Sequence, residues 1–318
     1  MTAITDTPAL ARDGFRAMGT DVLLMLDATG TGGAPDAPSA RAAFDAARAE
    51  VHRIERMASR FDPHSELSQL NATGEAEVST DLLRLITLAL AMRGATGGRF
   101  DPTVHEAVVA AGYDRPLDQL PADGGAAGAP MPAGGRVDID PRTGRVVLGT
   151  GTCLDLGGIA KGWAADRVAD ELGVHGPCLV SMGGDIAVRG ALDGGPWPVE
   201  VMHGDRPRVI GLRRGGMATS GTDRRRWMRA GVPMHHVVDP STGRPSTTDL
   251  TRVTTIADDA ATAEAWSTAL LLAGRDAALR EARARDITAV LVDSRGDVAT
   301  TGTLAAPGIA AVETEDQP

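Results

Sequence analysis

A handful of residue types stand in this sequence at spacings suited to holding a phosphate. The run Asp155 to Leu172, D-L-G-G-I-A-K-G-W-A-A-D-R-V-A-D-E-L, opens a helix at a glycine pair and puts Lys161 in its first turn. Unpaired first-turn N–H groups and a lysine point charge would favour an anion there. Gly157-Gly158 serves equally well as a tight strand-to-helix turn. Further on, His236 stands three residues before Asp239 in H-H-V-V-D-P-S-T-G-R-P. Histidine is the side chain most easily poised to accept a proton near neutrality. Against that, Asp239 reads as an Asx cap and His236 as a half-buried strand residue. Glu264 and Thr268 are spaced i, i+4 on one helix face, and offer hard oxygens of the kind Mg²⁺ accepts. A solvated glutamate and a back-bonding threonine are the plainer alternative. The stretch A-T-S-G-T-D-R, Ala218 to Arg224, supplies three hydroxyls and a glycine at a strand end, or an ordinary hairpin loop. Phe100, in R-F-D-P-T, is one of four phenylalanines and either stacks on a heterocycle or plugs the core.

The elements that must position these residues follow from the hydrophobic pattern. Phe15 to Asp27 reads as a strand pair about Gly19, and Gly30 to Pro38 as a loop. Ser39 caps a helix to about Ser59 whose Phe44, Val51, Ile54 and Met57 share a face. Ser59 to Asn71 is an irregular polar loop with a short helical turn. A leucine-rich buried helix runs from Thr80 to Gly94, and 116–135 is a Pro/Gly/Ala-rich surface excursion read as mobile. Residues 136–139 and 145–148 form a hairpin. From Cys178 the pattern turns to short strands, at 178–182, 186–189, 199–202, 208–212, 217–219 and 235–238. Helices at 261–273 and 275–285 and a closing hairpin, 287–293 with 298–301, complete the reading. The class expected is α+β, a large antiparallel sheet flanked by helices. Residues 1–14 are read as a flexible N-terminus, 15–310 as one domain and 311–318 as an acidic tail.

Composition narrows the function. The 318 residues are 42% hydrophobic but only 3% aromatic, so the core is aliphatic. A formal charge of −10 argues against nucleic acid and against an anionic membrane surface. An anionic ligand needs a local basic pocket or a metal ion. Cys153 and Cys178 sit in apolar, strand-like runs and read as core residues, not as a disulfide or a metal pair. No signal peptide, lipidation cysteine or membrane span is visible, which gives a cytoplasmic expectation.

Eight blocks occur in an order that resembles the ApbE family of flavin transferases: F-R-A-M-G-T, S-R-F-D-P-H-S-E-L-S-Q-L-N, G-G-R-F-D-P-T-V, D-L-G-G-I-A-K-G-W-A-A-D, S-M-G-G-D-I, A-T-S-G-T-D, H-H-V-V-D-P-S-T-G-R-P and A-E-A-W-S-T-A-L. The resemblance runs from about Phe15 to Gly274. It implies a T-fold-like, two-lobed single domain and an enzyme that uses FAD and Mg²⁺. A Thr or Ser hydroxyl of an acceptor protein would take FMN, and AMP would leave. By the same resemblance Met18, Phe61, Arg99, Phe100, Asp101, Asp155, Lys161 and Val238 would contact the flavin dinucleotide. The Gly158 carbonyl, Glu264 and Thr268, with Ser267 as accessory, would hold Mg²⁺. His236 would deprotonate the acceptor, with Lys161 beside it as the second catalytic group. Glu264 stands where the family usually has aspartate, one methylene shorter. Two other outcomes are weighed: an FAD pyrophosphatase giving FMN and AMP, and a flavin-binding protein without turnover.

Overall fold

The computed structural model describes residues 10–27, 37–193, 195–203, 206–302 and 309–312. The expected loop at 30–38 falls almost wholly outside them, as do residues 1–9 and the end of the acidic tail. Strands β1 (Leu10–Ala17) and β2 (Thr20–Asp27) lead into helices α1 (Ala37–Ala58) and α2 (Glu66–Thr73). Next come β3 (Glu75–Glu77), α3 (Thr80–Ala95), α4 (His105–Ala110), β4 (Val137–Asp140), β5 (Arg145–Leu148) and α5 (Ala160–Leu172). The strand-rich half holds β6 (Cys178–Met182), β7 (Asp185–Arg189), β8 (Trp197–His203), β9 (Arg206–Leu212), β10 (Gly215–Gly221), β11 (Arg226–Arg229), β12 (Val232–His235), β13 (Val238–Asp239), β14 (Arg244–Pro245) and β15 (Leu250–Ala257). Helices α6 (Ala260–Ala273) and α7 (Arg275–Ala284) precede β16 (Thr288–Asp293), β17 (Val298–Thr301) and β18 (Ile309–Val312).

Eight strands form one sheet in the order β1-β2-β6-β7-β10-β15-β16-β17, every pairing antiparallel. Side chains alternate across it, so each strand feeds two cores. Leu24, Leu26, Val180, Ala187, Val253 and Leu291 face the helices. Met25, Leu179, Ile186, Val188, Met217 and Val290 face the opposite way, onto the β18-β9-β8 sheet and the buried Trp197. A third, small cluster packs α4 against Trp227 and Val238.

Several boundaries depart from the pattern. β1 begins at Leu10, which pairs with Asp27, so residues 10–14 belong to the sheet and not to a loose terminus. At the other end, β18 pairs with β9 and reaches Val312. The strand expected at 235–238 is broken: the chain leaves the β11–β12 ladder after His235 and rejoins pairing at Val238. β15, central in the sheet, was not anticipated. Its L-T-R-V-T-T-I-A mixes polar and apolar letters, but Thr254 and Thr255 are buried with their hydroxyls bonded to Thr219 and to the Ala263 carbonyl. The 116–135 excursion is exposed yet tethered. Asp123 accepts from the N–H groups of Ala230 and Gly231, at 2.7 and 2.8 Å, and Ala133 N–H donates to the Pro240 carbonyl. No described helix is long and apolar enough to cross a membrane.

Candidate active site

Small residues bring α6 onto the sheet. Gly216, Ala218 and Ser220 share the helix-facing side of β10, and a Cβ at Gly216 would lie 2.1 Å from Ala260 N. From Gly216 to Ser220 the strand advances about 13 Å, and from Ala260 to Thr268 the helix advances about 12 Å. The two elements therefore stay in step. At the far end Ser220 Oγ is 2.7 Å from Ser267 Oγ and 2.9 Å from Thr268 Oγ1. Ser267 also donates to the Glu264 carbonyl at 2.9 Å.

Helix α5 meets α6 at another glycine. A Cβ on Gly162 would come within 2.5 Å of the Ala260 carbonyl oxygen. One turn on, Asp166 accepts from the N–H groups of Ala260 and Ala261, both at 3.0 Å, and so caps α6 from a neighbouring helix. Burial lifts Asp166 to a pKa of about 6 against those two bonds. This junction turns Glu264 back onto α5. Its Oε2 accepts from Gly162 N–H at 2.8 Å and its Oε1 from Lys161 Nζ.

Lys161 is shared. Its ammonium also donates to Asp185 Oδ2 at 2.5 Å, at the start of β7. Asp185 and Glu264 are 4% and 3% exposed, so one cation faces two buried carboxylates. Burial disfavours the Lys161 charge, but Asp185 and Glu264 outweigh it and raise the pKa above the usual lysine value. Glu264 is pushed up by burial and by Asp185, and held back by Lys161 and the Gly162 N–H.

The first turn of α5 is less open than the sequence suggested. Asp155 Oδ1 takes the Gly157 N–H, the Leu156 carbonyl takes those of Ile159 and Ala160, and Glu264 takes that of Gly162. The last of these would otherwise close the helical turn onto the Gly158 carbonyl. That carbonyl is thereby left out of the helical bond; like the Glu264 carboxylate and the Ser267 and Thr268 hydroxyls, it is a hard oxygen of the type Mg²⁺ accepts.

His236 lies in the break between β12 and β13. Burial, then Arg225, His235 and Lys161, push its pKa down to about 3, and Nδ1 is buried without a partner. So low a pKa leaves the imidazole uncharged near neutrality, and in the Nε2–H tautomer Nδ1 is the nitrogen that can accept a proton. Asp239 does act as an Asx cap, taking Ser241 N–H and Oγ at 2.9 and 2.7 Å.

The remaining candidates have different surroundings. Phe100 is buried and lies against Gly158, where a Cβ would meet its ring at 3.3 Å. Asp101 is turned inward, 3.0 Å from Arg93, and caps Thr103 through N–H and hydroxyl. Arg99 is paired with Glu281 on α7 at 2.5 Å. Met18 sits at φ 52° in the β1–β2 turn, its N–H bonded to Glu55 at 2.6 Å. Val238 packs in the third cluster. Phe61, 37% exposed, joins a stack that sequence reading missed. The Arg60 guanidinium lies 4.1 Å from the Phe61 ring and 4.6 Å from Tyr113, which stacks on Trp227 at 5.2 Å. Arg60 is buried, bonds Asp155 at 3.0 Å and keeps Nη2 unpartnered. Asp185 and Ser220 were also unassigned; the signal for Asp185 is its place directly after a glycine pair, in S-M-G-G-D.

Comparison with known proteins identifies the family and the fold. The ApbE family model matches residues 18–292. An FAD:protein FMN transferase of Vibrio cholerae is 30% identical over 276 residues, covering 78% of this chain and 78% of its own. One from Haemophilus influenzae is 29% identical, covering 74% and 73%. The crystal structure of the ApbE protein of Thermotoga maritima superposes with a TM-score of 0.81 at 29% identity, over 92% of this chain and 97% of that one. The flavin transferase ApbE of Vibrio cholerae gives 0.74 at 23%, over 92% and 97%, a likeness of fold.

Proposed function

The chain belongs to the ApbE family, and from that premise we propose that it transfers FMN from FAD to a Thr or Ser hydroxyl of an acceptor protein, in a Mg²⁺-dependent reaction that releases AMP. One observation supports this above all: Lys161 bonds the Glu264 carboxylate, one helical turn before Thr268, and lies near enough to His236 to help lower its pKa. Attack on a diphosphate asks for charge neutralisation, in-line positioning and removal of a hydroxyl proton.

In this reading the acceptor oxygen bonds to the FMN-side phosphorus as the bridging P–O bond breaks, and AMP keeps that electron pair. The hydroxyl proton passes to His236, which is neutral and has an accepting nitrogen. The incoming diphosphate offsets Arg225 and Lys161 and so raises the basicity of that imidazole. Lys161 faces the phosphate charge. Glu264, Thr268, Ser267 and the Gly158 carbonyl would hold Mg²⁺, which when bound neutralises charge on the transferring phosphoryl group. The longer arm of Glu264 is oriented by Gly162 N–H, which compensates for the extra methylene. Phe61, backed by Arg60 and Tyr113, offers a stacking face to the flavin ring. By the family resemblance Met18, Arg99, Phe100, Asp101, Asp155 and Val238 would line the FAD pocket.

The test is chromatographic. AMP is followed in FAD and Mg²⁺ with and without a candidate acceptor. Transfer predicts AMP release that requires the acceptor, in step with one FMN gained on it. Rapid AMP release in its absence would overturn the reading in favour of a pyrophosphatase, and FAD binding without AMP in favour of a carrier.

A further inference from the structure

Another set of donor atoms lies outside the α5–α6 cluster. His105 and Glu106 open α4, and Cys153 stands in the irregular segment between β5 and α5. Cys153 is half-buried and off any strand, unlike Cys178, which is buried in β6 as the sequence pattern implied. One ring nitrogen of His105, a carboxylate oxygen of Glu106 and Cys153 Sγ all lie within 4.8 Å of one another, and His105 Nδ1 is 2.9 Å from Glu106 Oε1. All three residues are partly open to water.

We propose that His105, Glu106 and Cys153 form a second cation site, for a zinc-class divalent ion with water in the fourth position. The donor types decide the class. A thiolate and an imidazole suit Zn²⁺ and its neighbours, whereas Mg²⁺ takes oxygen. The site therefore does not compete with Glu264 and Thr268 for the same ion. Zinc bonds of about 2.0–2.3 Å set tetrahedral donors roughly 3.4 Å apart, so the three atoms need close by little more than about 1 Å, within reach of side-chain rotation.

The backbone beneath the donors is already fixed. Asn71 clamps Leu154 with two bonds of 2.8 Å, its Oδ1 accepting from the Leu154 N–H and its Nδ2 donating to the Leu154 carbonyl, and Asp155 N–H donates to the Pro102 carbonyl at 2.8 Å. The helix-opening donors and the cysteine are thus held together before any ion arrives. A bound ion would brace the segment carrying Phe100 and Asp101 against the one carrying Asp155. Because the thiol binds as thiolate, each ion taken up releases a proton.

Cobalt is a suitable probe, because a cysteine ligand gives a thiolate-to-cobalt band in the near ultraviolet. The titration uses the full chain without FAD, in excess Mg²⁺, so its failure leaves the flavin-transfer reading untouched. Wild type should take one Co²⁺ per chain with the thiolate band, and one equivalent of Zn²⁺ should displace it. Cys153→Ser should lose the band, and His105→Ala should weaken binding at least tenfold, no less than the loss of an outer-sphere partner costs (~10–100-fold). No thiolate band in wild type, or an unchanged titration in the variants, overturns the site. Should Cys153→Ser not fold, alkylation of wild-type Cys153 decides: Zn²⁺ protection supports the site and an equal rate with and without Zn²⁺ refutes it.

Discussion

Lys161 separates two carboxylates that burial alone would not tolerate side by side. Removing one partner of a buried charge group leaves the rest uncompensated, at a cost of about 3–5 kcal/mol. Lys161→Met should lower stability by that order in EDTA, with part of the loss restored by millimolar Mg²⁺, since Asp185 and Glu264 would then share a metal. Thermal unfolding with and without Mg²⁺ checks this, and an unchanged melting temperature would contradict it. His236 makes a second prediction at this scale. Its pKa falls from the ordinary value near 6.5 to about 3 in the folded chain. Between those values the unfolded state binds the extra proton, so stability is fully present above pH 6.5 and declines as the pH drops toward 3. Denaturant midpoints at pH 7 and pH 4.5 should diverge less in His236→Asn than in wild type. By type and spacing Lys161, Glu264, Thr268 and His236 were candidates with a structural alternative at least as plain, and the resemblance to the ApbE family supplied their expected roles. Arg60 and Asp185 were not assigned, because a lone arginine in a polar loop names no partner and an aspartate after a glycine pair also reads as a turn; Ser220 lay within the Ala218–Arg224 hydroxyl stretch without being picked out from it.

Two helices and one strand hold these side chains in register. The α5–α6 contact rests on Gly162 and on the Asp166 carboxylate that caps α6. Asp166→Ala removes both cap bonds and should cost about 1–2 kcal/mol, while weakening Mg²⁺ dependence through displacement of Glu264. Chemical denaturation and a Mg²⁺ titration read the two effects separately. Loss of stability with an unmoved Mg²⁺ midpoint would mean that Glu264 is positioned by something else. The helices were readable because their apolar faces and caps are local: Ser79 caps α3 and Asp259 caps α6. β15 was not, because its buried threonines read as polar until their partners on β10 and α6 are known. The break after His235 was likewise hidden, since H-H-V-V carries no turn residue, and only the pairing of Val238 with Pro245 shows that a new ladder starts there.

The molecule as a whole divides labour across its large sheet. One face carries the helices and the cluster around Lys161; the other rests on Trp197 and the β18-β9-β8 sheet. Trp197 is wholly buried, its indole N–H bonded to the Gly190 carbonyl at 3.0 Å. Trp197→Ala should therefore cost about 3–5 kcal/mol, while the folded fraction keeps its Mg²⁺ midpoint. A large shift in that midpoint would show that the two faces are coupled. The α+β class and the antiparallel sheet were visible in the run of short strands between glycine turns. The second sheet's role as a separate core was not, because strand patterns name faces without naming what covers them. The most direct measurement of the central claim is the mass of an acceptor protein after incubation with FAD and Mg²⁺, using wild type and His236→Asn matched for FAD affinity. A gain of one FMN on a Thr or Ser with wild type, slowed at least about 100-fold in the variant, is the predicted result. Equal rates of gain in the two proteins, or no gain with wild type on any acceptor, would contradict it.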